Sequence, residues 1–137
     1  MERTFAIIKP GAVRDGNAGN IIARIEAEGF TISGMKKIQM SKAQAELFYA
    51  VHKARPFYGE LVDSMISGPV VVMVLAKDNA IKAWRDLMGA TNPAQAADNT
   101  IRKLFGTSIG ENATHGSDAP ETAAQEVPFF FATADLV

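Results

Sequence analysis

The chain has 137 residues, 47% of them hydrophobic and 21% charged, the balance of one globular domain with enough apolar surface for a core. A formal charge of −1 argues against broad attraction to nucleic acid, and the absence of cysteine excludes disulfides, thiolate catalysis and cysteine-bound metal. The longest apolar run, Val70 to Ala76, falls far short of the ~20 residues a membrane-spanning helix needs.

Thr4 to Ile8 is short, β-branched and aromatic and stops at Pro10-Gly11, so it is expected to be a strand and not a signal peptide. A polar turn, Arg14 to Gly19, follows. Ile21, Ile22 and Ile25 mark one face of a helix ending near Gly29. Thr31 to Met40 is expected as a second strand. Ser41 and Gln44 are spaced as a capping box for a helix carrying Leu47 and Phe48. Beyond Arg55-Pro56, the residues Leu61, Met65 and Ile66 indicate another short helix, closed by Gly68-Pro69.

Val70 to Ala76 is apolar at every position, as a strand buried on both faces would be. Asp78 is the expected N-cap of a helix bearing Ile81, Trp84, Leu87 and Met88. Gly89 to Gly110 is rich in loop residues, with Asn92-Pro93 opening one helical turn and Thr100 to Phe105 forming another. Asn112 to Asp118 places His115 among small residues, just before a helix from about Ala119 to Gln125 with Asp118 and Glu121 in capping-box spacing. A last strand is expected around Phe129 to Thr133. No repeat or linker divides residues 1–137. Two βαβ halves with helices on one face predict an α+β, ferredoxin-like βαββαβ sandwich with a four-stranded antiparallel sheet.

Familiar phosphate motifs fail here. Gly11 to Gly16 has Walker A glycine spacing, but Asn17-Ala18 stand where lysine and a hydroxyl residue are needed, and no G-x-G-x-x-G follows the first strand. What remains is dispersed. Helix N-termini favour anions, and a neutral imidazole presented near one, as His115 is, is a competent nucleophile toward phosphorus. Lys9 closes the first strand, and Arg85 and Arg102 could grip phosphate by charge-assisted hydrogen bonds. Taken alone, each of these cations reads better as an ordinary solvated surface residue, Thr91 most simply as a turn residue, and Tyr49 and Phe57 as core or interface aromatics. His52 has no distinctive context. Metal binding by His115 with Asp118 lacks further ligands.

Taken together, the segments decide more. Ile7-Ile8-Lys9-Pro10, Arg55-Pro56-Phe57, Ser67 to Val71, Gly89 to Pro93, Thr100-Ile101-Arg102 and Asn112 to Asp118 stand in one order along nearly the whole chain. In these segments, above all the N-x-x-H-G-S-D run, the chain closely resembles the nucleoside diphosphate kinases. The resemblance implies a ping-pong transfer of the γ-phosphoryl group of a nucleoside triphosphate, typically ATP, to a nucleoside diphosphate through a phosphohistidine on His115. Because the imidazole must be neutral to attack, activity should fall in acid.

The resemblance also implies roles at matching positions. Lys9 stabilises the transferring phosphoryl group and, with Asn112, holds the ribose 3′-hydroxyl. Tyr49 places its hydroxyl near that phosphate. Arg85, Thr91 and Arg102 grip the phosphates, with Mg²⁺ held mainly by the nucleotide and not by a protein metal site. Phe57 stacks on the base and Ile109 lines its other side, which suits ribo- and deoxyribonucleotides of every base. Glu126, assisted by Ser117, orients His115, while Asp118 is assigned to the helix cap. Relatives assemble as homo-oligomers, and the short C-terminus favours a tetramer over a hexamer. Neither a membrane nor a specific nucleic acid is expected as partner, and the location expected is the cytoplasm.

Some positions depart from the common pattern. Gly11 replaces an acidic or amide residue, Asp98-Asn99 stands where glycine is frequent, and Leu104 replaces aspartate. Gln125 replaces a frequent basic residue, and Pro128 is expected to end the last helix early. The rival reading is a catalytically inactive ferredoxin-like domain that binds nucleotide or a partner.

Overall fold

Phe5, Ala6, Ile7 and Ile8 are all buried, although successive residues of a strand point to opposite faces of its sheet. Both faces must therefore be covered, and they are. The computed structural model describes Met1 to Val137. Strand β1 (Glu2–Ile8) pairs with β3 (Val70–Lys77) on one side and β4 (Thr114–Gly116) on the other, while β2 (Thr31–Ile38) pairs with the far edge of β3. All pairings are antiparallel, in the order β2-β3-β1-β4. The register runs from Glu2 opposite Lys77 to Ile8 opposite Val71, and Ile7 lies opposite His115. This is the ferredoxin-like βαββαβ arrangement.

One core packs Ala6, Ile8, Met73 and Leu75 under α2 (Ala18–Ala27) and α5 (Ala80–Met88), around a fully buried Trp84. The other packs Phe5, Ile7, Val72 and Val74 under α3 (Lys42–Phe48) and α4 (Tyr58–Met65), with the C-terminal α7 (Pro120–Phe130) closing it through Val127 and Phe130. Helices on one face only, as the sequence pattern suggested, is therefore corrected to helices on both. The unbroken apolar runs of β1 and β3 require it.

Local expectations held unevenly. The Ser41 capping box forms, Ser41 Oγ accepting from the Gln44 amide at 3.1 Å and Gln44 Oε1 from the Ser41 amide at 2.9 Å. Asn92 Oδ1 accepts from the Ala94 amide above the 3₁₀ turn Pro93–Gln95, and Thr100 caps α6 (Ile101–Phe105). Asn99 takes φ 67°, a left-handed conformation that asparagine tolerates. Pro10 does not end ordered structure: it opens a short helix, α1 (Pro10–Arg14), where its missing N–H is no loss. Strand β2 stops at Ile38, two residues short of Met40. The cap of α5 is Asn79 at φ 53°, not Asp78, and α7 starts after Ala119 with no side-chain cap, so Asp118 and Glu121 form no capping box.

The largest correction concerns the C-terminus. No strand forms at Phe129 to Thr133, and the fourth strand is Thr114–Gly116 itself. Helix α7 runs through Pro128 to Phe130, with the Phe131 amide donating to the Val127 carbonyl at 3.0 Å. Pro128 forfeits one helical hydrogen bond, but continuing the helix stacks Phe130 on Phe5, centroids 5.5 Å apart, and buries Phe131.

Candidate active site

Lys9 leaves the end of β1 beside the segment that leads into β4, its amide donating to the Ala113 carbonyl at 2.8 Å. Its Nζ donates to Asn112 Oδ1 at 2.7 Å, and Asn112 Nδ2 donates to the Thr91 carbonyl at 3.1 Å. Both ends of the Asn112 amide are thereby committed, fixing its orientation. Burial, then the nearby Arg102, pushes the Lys9 pKa down to about 8, with Glu111 opposing. Desolvation always disfavours the charged form of a lysine.

Arg102 works from α6. Its Nη1 donates to the Gly89 carbonyl at 3.0 Å and its Nη2 to the Thr114 carbonyl at 2.9 Å, while its buried Nε has no partner. Burial, then Arg85, pulls its pKa below the usual guanidinium range. Arg85, Thr91 and Arg102 line one open cavity of about 750 Å³ with Gly89, Gly116 and Asp118. Asp118, expected as a cap, stands in this wall instead. Lys9 and His115 do not line the cavity; Lys9 connects to it through Asn112, which bonds the Thr91 carbonyl, and Arg102, which lines it, also bonds the carbonyl of Thr114, the residue before His115.

His115 faces the opposite side of the sheet from Gly116. Its ring is packed edge-on by Phe48 at 5.6 Å, Phe5 at 6.2 Å and Tyr49 at 6.2 Å. Nε2 lies 3.2 Å from Glu126 Oε1, which also accepts from Ser117 Oγ at 2.6 Å. An ionised carboxylate only accepts, so the hydrogen-bond network assigns the proton of a neutral His115 to Nε2. The lone pair then belongs to Nδ1, which has no partner in the protein. Tyr49 is 4% exposed, its hydroxyl unpartnered, and burial followed by Glu126 raises its pKa.

Phe57 and Ile109 are both exposed apolar side chains, apart from the His115 cluster. Phe57 connects back to it through His52, whose ring lies 5.5 Å from Phe57 and 6.4 Å from Tyr49. His52, without distinctive context in the sequence and expected to be structural or exposed, lies in the 3₁₀ turn Ala50–His52, where a spacing of three brings it to the same side as Tyr49. No three or more His, Asp or Glu side chains converge as a metal cage. The donors lining the cavity, chiefly arginines with Asp86 and Asp118, fit phosphate and a cation that arrives with it.

The nucleoside diphosphate kinase family model matches residues 2–136. The chain belongs to that family. It is 63% identical over 137 residues to the nucleoside diphosphate kinase of Syntrophotalea carbinolica and 60% identical to that of Desulfotalea psychrophila, the full length of both chains being covered in each case. Among solved structures, the Aquifex aeolicus nucleoside diphosphate kinase superposes with a TM-score of 0.98 at 45% identity, covering 99% of each chain. The Halobacterium salinarum nucleoside diphosphate kinase, solved in complex with CDP, gives 0.95 at 38% identity, covering 99% of this chain and 91% of that one. The protein is a phosphotransferase that moves the γ-phosphoryl group of a nucleoside triphosphate to a nucleoside diphosphate, and nothing favours the inactive alternative. Enzymes of this family act on nucleotides, generally with a divalent cation. No helix is long and apolar enough to cross a membrane.

Proposed function

We propose that His115 carries the phosphoryl group on Nδ1 between two nucleotides. The observation that supports this most is the engagement of Nε2 by Glu126, which leaves Nδ1 as the free ring nitrogen. In the first half-reaction the Nδ1 lone pair forms a bond to the γ-phosphorus as the bond to the β–γ bridging oxygen breaks, and the nucleoside diphosphate leaves with that electron pair. In the second, a terminal oxygen of the incoming diphosphate attacks the phosphohistidine and the electron pair returns to Nδ1. Glu126, steadied by Ser117, stabilises the charge that develops on the imidazole.

Lys9 and Asn112 hold the transferring phosphate and the 3′-hydroxyl, with Tyr49 donating to a phosphoryl oxygen. Arg85, Thr91 and Arg102 bind the remaining phosphates, and Phe57 stacks on the base with Ile109 opposite. Positioning and charge stabilisation dominate phosphoryl transfer, which suits a histidine nucleophile served by the cations Lys9, Arg85 and Arg102. Mg²⁺ held mainly by the nucleotide oxygens supplies further neutralisation of phosphate charge. Residues 1–137 act as one catalytic domain in a cytoplasmic homo-oligomer, a tetramer in preference to a hexamer.

Brief incubation with γ-labelled ATP and Mg²⁺, then denaturing electrophoresis, tests the central step. An acid-labile, base-stable label is expected on the wild type and absent from His115→Ala, and unlabelled GDP should discharge it into GTP. Transfer without any labelled protein would overturn the reading.

A further inference from the structure

Glycine weakens a strand, yet Gly116 ends β4 without the positive φ that calls for one. Trp84 of α5 is the reason for the missing side chain. A Cβ on residue 116 would stand 2.5 Å from the indole Cδ1 and 2.7 Å from Nε1, with Met88 Cε also at 2.7 Å. The indole has nowhere to retreat. It is fully buried, and the ring of Phe30 meets it at 6.2 Å and 86°.

In this seat the indole donates to the strand. Trp84 Nε1 gives its hydrogen to the His115 carbonyl at 3.2 Å. One residue earlier, the Thr114 carbonyl accepts from Arg102 Nη2 at 2.9 Å, while Arg102 Nη1 holds the Gly89 carbonyl at 3.0 Å, just past the end of α5. The two carbonyls on either side of the His115 α-carbon are thus both tied to α5, one directly and one through Arg102.

The same helix presents Arg85 to the phosphate cavity, whose wall also contains Met88, Gly89 and Gly116. A helix turns about 100° per residue, so neighbours in sequence face different ways. Trp84 is buried against β4, and Arg85 is exposed in the cavity.

We propose that Trp84 is a positioning residue for phosphoryl transfer: its indole, seated over Gly116 and bonded to the His115 carbonyl, sets the distance between the nucleophile and the phosphate grip of Arg85. This rests on the roles given to His115 and Arg85 above. Arg85 binds phosphates other than the one transferred, so the placement set by Trp84 matters for a nucleotide and not for a donor with a single phosphoryl group. Phosphoramidate is such a donor. In its ammonium form, a bond from His115 Nδ1 to phosphorus forms as the P–N bond breaks, and ammonia leaves with that electron pair.

The test times phosphohistidine formation in the intact enzyme from γ-labelled ATP with Mg²⁺ and, separately, from labelled phosphoramidate. Trp84→Phe removes the N–H and part of the ring. Benzothienylalanine at position 84 keeps the shape and removes the N–H alone, so the question stays answerable if the phenylalanine variant fails to fold. Trp84→Phe should slow transfer from ATP by on the order of ten- to a hundredfold, and the sulfur isostere by less, while transfer from phosphoramidate stays near the wild-type rate. In an Arg85→Ala background, Trp84→Phe should lose most of its effect on the ATP reaction, because it acts through that grip. Equal slowing with both donors, an unslowed ATP reaction, or a full effect without Arg85 overturns the proposal. A wild type labelled by neither donor overturns instead the role given to His115, and an Arg85→Ala enzyme as fast as wild type with ATP overturns that of Arg85.

Discussion

Replacing Tyr49 by phenylalanine should stabilise the nucleotide-free protein while slowing it as an enzyme. The ring is 4% exposed and packs 4.9 Å from Phe48 and 6.2 Å from His115, contacts that phenylalanine keeps. The hydroxyl is buried and has no partner. An unpaired buried polar group costs about 1–3 kcal/mol, and the small void left by the oxygen returns part of any gain, so about 1 kcal/mol of net stabilisation is expected. For 137 residues the entropy of unfolding is about 0.3 kcal/mol/K, which converts that gain to a rise of about 3–4 °C in Tm. Function should move the other way. Burial raises the pKa of the phenol and so keeps it an O–H donor, and a hydrogen bond to a charged phosphoryl oxygen is worth about 1.5–3 kcal/mol, roughly tenfold or more in rate. Calorimetry of the nucleotide-free protein and rapid-quench measurement of phosphohistidine formation check the two halves. A Tm at or below the wild-type value would show that the hydroxyl has a partner, and an unchanged rate would remove Tyr49 from the transfer step.

Gly116→Ala places a Cβ 2.5 Å from Trp84 Cδ1 and 2.7 Å from Met88 Cε, so it should cost about 1–3 kcal/mol in urea denaturation; an unshifted midpoint would show the core yields freely there. Glu126→Gln keeps shape but loses the charge proposed to orient His115, and should slow phosphohistidine formation by on the order of ten- to a hundredfold, with equal rates refuting the role. Phe57→Ala should raise KM for nucleotides by the equivalent of about 1–3 kcal/mol of stacking, and a selective loss of kcat would contradict that role. Lys9 carries a pH signature of its own. Its pKa falls from 10.5 unfolded to about 8 folded, so between those values the unfolded chain binds the extra proton and stability rises with pH. The penalty is fully present below about 8. Lys9→Met should therefore stabilise the nucleotide-free protein most at neutral pH, with an advantage that shrinks toward pH 10.5; a pH-independent difference would refute the buried-ammonium account.

What the sequence could reveal depended on how local the signal was. The all-apolar run at Val70 declared a strand covered on both sides, and Ser41 with Gln44 declared a cap, because each is written within a few residues. Strand β4 was illegible since three residues carry no period, and Thr114–Gly116 is a strand only because β1 offers it an edge. Phe129 to Phe131 failed for a related reason: a short apolar run does not distinguish strand from helix, and what extends α7 is packing against Phe5 and Phe48. At the site, the family likeness carried nearly every assignment. It could not supply the bond from Lys9 to Asn112, which spans 103 positions, or the seat of the Trp84 indole over Gly116, since proximity of that kind is tertiary.

The chemistry is concentrated where the backbone is least comfortable. Ala113 takes φ 72°, and the Thr114 amide closes back on the Asn112 carbonyl at 2.9 Å, a tight turn in a non-glycine residue that costs on the order of 1–3 kcal/mol. The turn sets the backbone between the two: Asn112 holds Lys9 Nζ and the Thr91 carbonyl, and His115, the first strand residue past it that faces Phe5, Phe48 and Tyr49, enters their aromatic cage. The turn persists because its flanks are over-determined: the Ala113 carbonyl takes the Lys9 amide, the Thr114 carbonyl takes Arg102, and Trp84 Nε1 donates to the His115 carbonyl at 3.2 Å. A buried alanine, 3% exposed, is the smallest residue that is not glycine, which keeps the turn compact while narrowing its freedom in the unfolded chain. The proposed nucleophile, His115, and the amide that shares Lys9 are thus fixed relative to one another before any phosphate arrives, and that order is what electrostatic stabilisation of a transferring group requires.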